Sequence, residues 1–591
     1  MDFKAKIKQE WPAIVILAVA AAARLTLLGI KPPHFDEGVN GWFVDQMTHT
    51  GFYHYDPTNY HGPLHFYVLF LAQTLLGRHI WALRLPLALV SLATVYLTLR
   101  FDRFIGRGAA LWAAAAMAVS PGCVFYGRYA IHECWLVFSL MLVAWGLAGL
   151  WQLGERKYLW AVWIGITGAV LTKETYVIHF ACAALALPCV WLLGMASPAA
   201  ETGGAAPQEW TARDMTLGAL LFAGCVGFFC VCATGAAKEP YVICFVCGAL
   251  SLSCGWLLGR ASPTAQMERP ASQRWTARDM MLGALLFAGC VVFFYSGTFM
   301  DMRGLKGLYE TFGAWAQTGR AGNGHEKAWY YWLQLFGRYE WPSCVGLLVA
   351  LACVLPRTPR LIRGLAIYAT GTLAAYSIIH YKTPWCVVSL TWPYLLLFGC
   401  GVDFAFRKYG SWTGVAAATL LAANLCDMVA LNFFHFTDAK EPYVYVQTFP
   451  DIDKLMKPLD ALIARNPANY QLTGHIMVES YHPLPWLLGD FPNIGYYDDD
   501  TNPPKMDADF LLVEETRIDD AESALREEYF TAPLSLRDAQ DPLKLYLNVK
   551  KFRSLFPGRK PDFEPREEAP PEAPPAAKPG SSSVPAGHAS Q

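Results

Sequence analysis

The chain has 591 residues, of which 54% are hydrophobic and 16% charged, with a formal net charge of −1. That composition lies outside the range of ordinary soluble domains, and the balanced charge gives no reason to expect nucleic acid as a partner. Many windows approach the ~20 apolar residues that cross a bilayer, so the chain reads as an all-α polytopic membrane protein with about 13 transmembrane helices.

The N-terminus, MDFKAKIKQEW, is basic and precedes an apolar run from Pro12 to Ile30. An uncleaved signal anchor with a cytoplasmic N-terminus is expected. The next stretch, Lys31–Tyr67, sets the adjacent acids Asp36 and Glu37 among aromatics, with His34, His49, His54, His61 and His65 nearby. Pro63–Gly77 is short for a span and contains His65, so it reads as an interfacial helix in the first external loop.

Spans are then expected near 80–99, 108–120, 134–151, 158–172, 176–195, 215–235, 240–258, 280–297, 342–356, 361–380, 385–402 and 411–433. This parity puts Arg100/Arg103/Arg107, Arg156/Lys157, Arg260/Arg269/Arg274/Arg278, Arg357/Arg360/Arg363 and Arg407/Lys408 on the cytoplasmic side.

A tandem repeat lies inside the array. KETYVIHFACAALALPCVWLLGMASP from Lys173 matches KEPYVICFVCGALSLSCGWLLGRASP from Lys238, and two WTARDM segments start at Trp210 and Trp275 with the same offset of 65. The duplicated two-helix units are 173–237 and 238–302, within a transmembrane domain over 1–433. All sixteen cysteines fall between Cys123 and Cys426. CxC at Cys230/Cys232 and CxxC at Cys244/Cys247 lack His or carboxylate companions and read as small buried hydrophobes.

Residues 434–560 are polar and long enough for a small α/β domain, expected outside the cytoplasm. Asp451–Ala464 is helix-like, Phe510–Glu514 strand-like, and Tyr497–Pro504 a turn cluster in which Asp498–Asp500 reads as solvated. Residues 561–591, rich in Pro, Ala, Glu and Ser, cannot bury a core and read as a disordered tail.

With that topology the costly polar residues gather on one face. The first external loop supplies Asp36, Glu37, Tyr60 and His61; SPGCVFYGRYAIHEC supplies Tyr126, Arg128, Tyr129, His132 and Glu133. Short hairpins supply Lys173/Glu174 and Lys238/Glu239, GHEKAWYYW supplies His325 and Lys327, and HYKTPW supplies Lys382 and Trp385. Ionisable residues at membrane depth are expensive unless paired or functional. Carboxylates mixed with Lys and Arg suit a site that holds a phosphate while one carboxylate acts as general base. No P-loop, GxGxxG fingerprint, GxSxG elbow or zinc signature stands in a credible context, which argues against nucleotide hydrolysis and redox cofactors.

The ordered set of an acid pair after the first span, HGPLHFY, RLPLAL, SPGCVFYGRYAIHE, LTKE, GHEKAWYYW and YKTPW resembles the GT-C glycosyltransferases that use polyprenyl-phosphate sugars. It looks most like the flippase-activity-associated proteins of archaeal and bacterial glycosylation, related to protein O-mannosyltransferases and aminoarabinose transferases. The likeness covers roughly residues 10–500. It implies a multi-pass protein of the cytoplasmic (inner) membrane that moves a sugar from a polyprenyl-phosphate donor to a protein or glycan acceptor at the outer face. The alternative is a flippase, or a flippase-associated protein, without transferase activity.

Carried over by position, the resemblance implies catalytic acids at Asp36, Glu37 and Glu133. Substrate-binding residues are then His61, Tyr126, Arg128, Lys173, Glu174, His325, Lys327, Lys382 and Trp385. Glu133 stands where relatives often carry Asp, and the repeat offers Lys238 beside Lys173 for one position. A divalent cation such as Mg or Mn, held by Asp36 and Glu133, is left open.

Overall fold

The computed structural model describes residues 3–195, 274–318, 324–353, 358–498 and 501–565. The spans expected near 215–235 and 240–258, Lys238, Glu239, the CxC and CxxC cysteines, Asp499, Asp500 and the tail after Pro565 lie outside the described residues. The chain separates into two compact units: 1–450 with 482–489, and 451–481 with 490–591.

The first unit is helical. Helix α1 (Phe3–Leu25) leads to α2 (Phe35–Thr50), α3 (Leu64–Leu76), α4 (Ile80–Leu99), a short α5 (Asp102–Ile105), α6 (Arg107–Val119), α7 (Pro121–Gly127), α8 (Glu133–Gln152), α9 (Arg156–Val170) and α10 (Tyr176–Met195). Then come α11 (Ala277–Tyr295), α12 (Gly304–Thr318), α13 (Tyr331–Tyr339), α14 (Trp341–Cys353), α15 (Arg360–Ile378), α16 (Val387–Tyr409) and α17 (Ser411–Phe433). Among the described residues six helices are long and apolar enough to cross a membrane, or seven if the bent pair α6 and α7 is one span.

Helix α3 has 13 residues, about 20 Å at 1.5 Å per residue, too short for a bilayer core of ~30 Å. It lies where the short apolar stretch led us to expect an interfacial helix. The 57° bend between α6 and α7 has a local cause: Pro121 supplies no amide hydrogen and disfavours helix at Ser120. The Ser120 hydroxyl instead caps α7 by accepting from the Cys123 amide at 3.1 Å.

Glu340, fully buried between α13 and α14, closes this break. It accepts from Ser120 Oγ at 2.7 Å, the Gly122 amide at 2.7 Å and Tyr443 OH at 3.3 Å. Burial pushes its carboxyl up to about 7, against these hydrogen bonds. A Cβ on Gly122 would stand 2.9 Å from the Glu340 carboxylate, so only glycine admits it.

The second unit holds a five-stranded sheet of order β2-β1-β3-β5-β4, with β1 Thr473–Met477, β2 Asn493–Tyr496, β3 Phe510–Glu514, β4 Tyr529–Leu534 and β5 Leu543–Asn548. Strand β1 pairs parallel with β2 and β3, while β5 pairs antiparallel with β3 and β4. β3 is buried along its length, as a continuous apolar run in a central strand should be. Helix α18 (Asp453–Arg465) precedes the sheet.

Candidate active site

The site is built from α2 outward. Pro32 and Pro33 keep the chain extended into His34, the N-cap of α2. His34 Nδ1 accepts from the Asp36 amide at 3.1 Å, which makes Nε2 the protonated nitrogen; Nε2 donates to the Tyr445 carbonyl at 2.8 Å. Asp36 and Glu37 thus sit in the first helical turn, where the helix dipole favours carboxylates. Segment 482–489 packs on the next turn, and Cβ atoms at Gly38 and Gly41 would fall 2.3 Å from Pro483 and 2.5 Å from Trp486.

The two adjacent acids have opposite environments. Glu37 is fully buried and saturated, taking Arg84 Nε at 2.8 Å and Nη2 at 2.6 Å, the His34 amide at 2.9 Å and the Ala130 amide at 2.8 Å. Burial alone would raise its carboxyl, but the Arg84 charge and these hydrogen bonds hold it below the usual range. Arg84 spends its remaining donors on the carbonyls of Leu28, Lys31 and Pro32. Asp36 is half-buried, and among the described residues no hydrogen bond or ion pair reaches its carboxylate. Its charge acts on Tyr60, His325, Tyr381 and Tyr445, which are themselves linked through the Tyr60–Tyr381 and His325–Tyr445 hydrogen bonds.

A second group joins the first loop to the α8 and α9 ends. His61 pairs with Lys173 as an antiparallel bridge, and the Gly62 amide donates to the Thr172 carbonyl at 3.1 Å. The loops touch so closely that a Cβ on Gly62 would sit 2.3 Å from the Leu171 carbonyl. His61 Nδ1 bonds Glu174 at 3.0 Å, and Lys173 Nζ pairs with Glu133 at 2.5 Å, with Lys173, Glu174 and Glu133 all buried. Burial opposes the Lys173 charge, yet Glu133 and Glu174 outweigh it and raise the ammonium well above its ordinary range. Glu174 is held low, burial being overcome by the His61 and Lys173 charges. Tyr60 lies in the field of Asp36, Glu174 and Lys173 together and is hydrogen-bonded to Tyr381.

The third wall comes from two later loops. Lys327 N donates to the His380 carbonyl at 3.1 Å and Lys382 N to the His325 carbonyl at 2.9 Å, so these loops run antiparallel through Glu326 and Tyr381. His325 Nδ1 bonds Tyr445 OH at 2.7 Å, and Trp385 stands edge-on to His34 at 5.6 Å. Lys382 is buried with its ammonium on the carbonyls of Lys327 and Ile379. The Lys327 ammonium lies over the Tyr445 ring at 5.4 Å and, among the described residues, has no carboxylate or carbonyl partner.

Asp36, His325, Lys327, Lys382 and Trp385 therefore share one wall with Tyr445, and His61, Lys173, Glu174 and Glu133 form the adjoining network. Two sequence candidates are spent elsewhere. Arg128 is buried and donates to the carbonyls of Ala23, Arg24, Thr26 and Leu27, closing the end of α1. Tyr126 OH donates to the Tyr443 carbonyl at 3.0 Å.

Sequence reasoning missed Arg84, Glu340, Tyr445 and Gln447. Arg84 lies inside an apolar helix, where an arginine with a carboxylate one loop away is the available signal. No group of three or more His, Cys, Asp or Glu side chains among the described residues is arranged to hold a metal ion.

The fold defined by these helices and loops is the GT-C fold of membrane glycosyltransferases. The chain is similar to ArnT from Cupriavidus metallidurans bound to undecaprenyl phosphate, at 14% identity over 91% of this chain and 98% of that one, with a TM-score of 0.50. Residues 60–198 match the model of the dolichyl-phosphate-mannose-protein mannosyltransferase family. Lesser likenesses are to the Archaeoglobus fulgidus oligosaccharyltransferase (10% identity, 91% and 73% of the two chains, TM-score 0.46) and to arabinofuranosyltransferase AftD from Mycobacteria (13%, 91% and 40%, TM-score 0.35). No curated protein matches the chain by sequence.

Proposed function

We propose that this protein transfers a sugar from a polyprenyl-phosphate donor to an acceptor hydroxyl or amide at the outer face of the cytoplasmic membrane. The observation that carries this reading is the contrast within one helical turn. Glu37 is saturated, whereas among the described residues no hydrogen bond or ion pair reaches the Asp36 carboxylate, whose charge acts on Tyr60, Tyr381, Tyr445 and His325. Asp36 accepts the acceptor's proton as the acceptor atom bonds to the anomeric carbon. The bond from that carbon to the phosphate oxygen breaks, and polyprenyl phosphate leaves with the electron pair. Aromatic faces suit a sugar's apolar C–H surface, as the Tyr and Trp here do.

Of the cations in this region, Lys173 and Lys382 have their donors engaged and Lys327 does not. Lys327 is therefore assigned to the donor phosphate, where a charge-assisted contact stabilises the leaving group. The Lys173/Glu133/Glu174/His61 network adjoins this wall through Tyr60, which hydrogen-bonds Tyr381. The binding of undecaprenyl phosphate by ArnT supports a lipid-phosphate donor.

The test is transfer by purified protein in liposomes supplied with a radiolabelled polyprenyl-phosphate sugar and an extract of envelope acceptors. Labelled acceptor with the wild type, and none with Asp36→Asn, is expected. Translocation of the lipid without any labelled acceptor, equal in both proteins, would replace transfer with flipping.

A further inference from the structure

Segment Tyr443–Gln447 follows α17 and has no regular secondary structure, yet Tyr443 and Gln447 are 1% and 2% exposed. It is bonded to the first, second and His325 loops. Tyr126 OH donates to the Tyr443 carbonyl at 3.0 Å, and His34 Nε2 donates to the Tyr445 carbonyl at 2.8 Å. Tyr445 OH bonds His325 Nδ1 at 2.7 Å. Gln447 Nε2 donates to the Pro32 carbonyl at 3.0 Å, and its Oε1 accepts from Tyr129 OH. The first, second and His325 loops are thus stitched to one five-residue strap.

Within the strap, Val446 has φ +53°. A β-branched side chain is strongly disfavoured in that left-handed region, and such outliers persist only where the surroundings over-determine them. Here the residues on both sides are anchored, Tyr445 by His34 and His325 and Gln447 by Pro32 and Tyr129. The left-handed turn at Val446 lies between these two anchors. The Tyr445 carbonyl thus holds His34, whose other ring nitrogen caps the helix that bears Asp36.

We propose that Tyr443–Gln447 is a substrate-positioning strap, in which the turn at Val446 holds Tyr445 on His34 and His325, at the cap of the helix that bears Asp36, and so orients the sugar for attack. This rests on the transfer reading above. Tyr445 acts through its ring and its grip on His34, and the proton stays with Asp36. Ordinary structural stitching would make the strap matter for folding alone. Positioning makes it matter for the chemical step, where a misplacement of ~1 Å can cost about 10²-fold in rate.

The experiment uses the full chain in liposomes with a polyprenyl-phosphate sugar and compares Val446→Gly, Val446→Asn, Tyr445→Phe and Asp36→Asn. Glycine accepts positive φ but frees the segment, whereas asparagine tolerates the left-handed conformation and keeps a side chain there. Val446→Gly should lower kcat about 10-fold with a thermal midpoint equal to or above wild type. Val446→Asn should keep kcat within about 2-fold, and Tyr445→Phe should lower kcat about 3- to 10-fold by releasing His325.

A lowered midpoint in Val446→Gly overturns the strain, and unchanged kcat in both Val446→Gly and Tyr445→Phe overturns the positioning. A slowed Val446→Gly beside a fully active Asp36→Asn removes the base assignment and leaves the strap standing. An inactive Asp36→Asn beside fully active Val446→Gly and Tyr445→Phe does the reverse, and full activity in all four variants removes both.

Discussion

Two neighbouring regions of the helical unit treat charge in opposite ways. Beneath the site, Glu37 and Arg84 are wholly buried, and among the described residues each hydrogen bond of the pair runs to a backbone group or to each other. One residue away, among the described residues, no hydrogen bond or ion pair reaches the half-buried Asp36 carboxylate, and the Lys327 ammonium lies over the Tyr445 ring. The buried pair ties the end of α1, the cap of α2 and the loop at Ala130 into one body. The open pair is what remains available to a substrate. On the proposed transfer reading, the adjacent residues Asp36 and Glu37 divide reactivity from scaffolding.

The sharpest way to break this comparison is to exchange the two roles. Asp36→Asn should lower transfer by about 10²- to 10⁴-fold, the usual worth of a positioned general base, with little change in thermal midpoint. Glu37→Ala should do the opposite first, destabilising the fold by about 3–5 kcal/mol because Arg84 is left as an uncompensated buried charge. Chemical or thermal unfolding in detergent measures it; a Glu37→Ala protein as stable as wild type would end the scaffolding assignment.

Glu340 offers a pH test of the buried side. Its folded pKa of about 7 lies above the ordinary 4.5, so its favourable contribution is fully present below about pH 4.5 and is lost as pH rises through 7. Between those limits the wild type should lose on the order of 3 kcal/mol that Glu340→Gln does not lose. Parallel midpoints for the two proteins from pH 5 to pH 8 would contradict it. The smallest expected effect is on the open side: Lys327→Ala should cut transfer about 10²-fold while leaving the midpoint in place.

Much of the architecture was legible in the residues. The brevity of the apolar run after Pro63 marked α3 as too short to cross, and Phe510–Glu514 reads as a strand because four successive apolar residues, Phe510–Val513, follow the turn-prone stretch before them. The gathering of loop residues was legible through topology, since the cost of charge in a membrane drives such residues to one face.

Partner choice was not legible. Arg128 and Lys327 look alike in sequence, each a basic residue among aromatics in a polar loop. Only the carbonyls at the end of α1 distinguish a helix-closing arginine from a free ammonium. Arg84 was hidden inside an apolar helix for the same reason: its meaning lies in Glu37, 47 residues away. Val446 carries no sequence signal at all, because a left-handed valine is imposed by its neighbours' anchors and not by its own preference.

The central claim is that Asp36, and not Glu37, performs the chemistry. Its most direct test is the single-turnover transfer rate of Asp36→Asn and Glu37→Gln, each normalised to folded protein in the same liposomes with a saturating polyprenyl-phosphate sugar. The rate for Asp36→Asn is expected at least about 10²-fold below that of Glu37→Gln per folded molecule. Equal rates, or a slower Glu37→Gln, would contradict it.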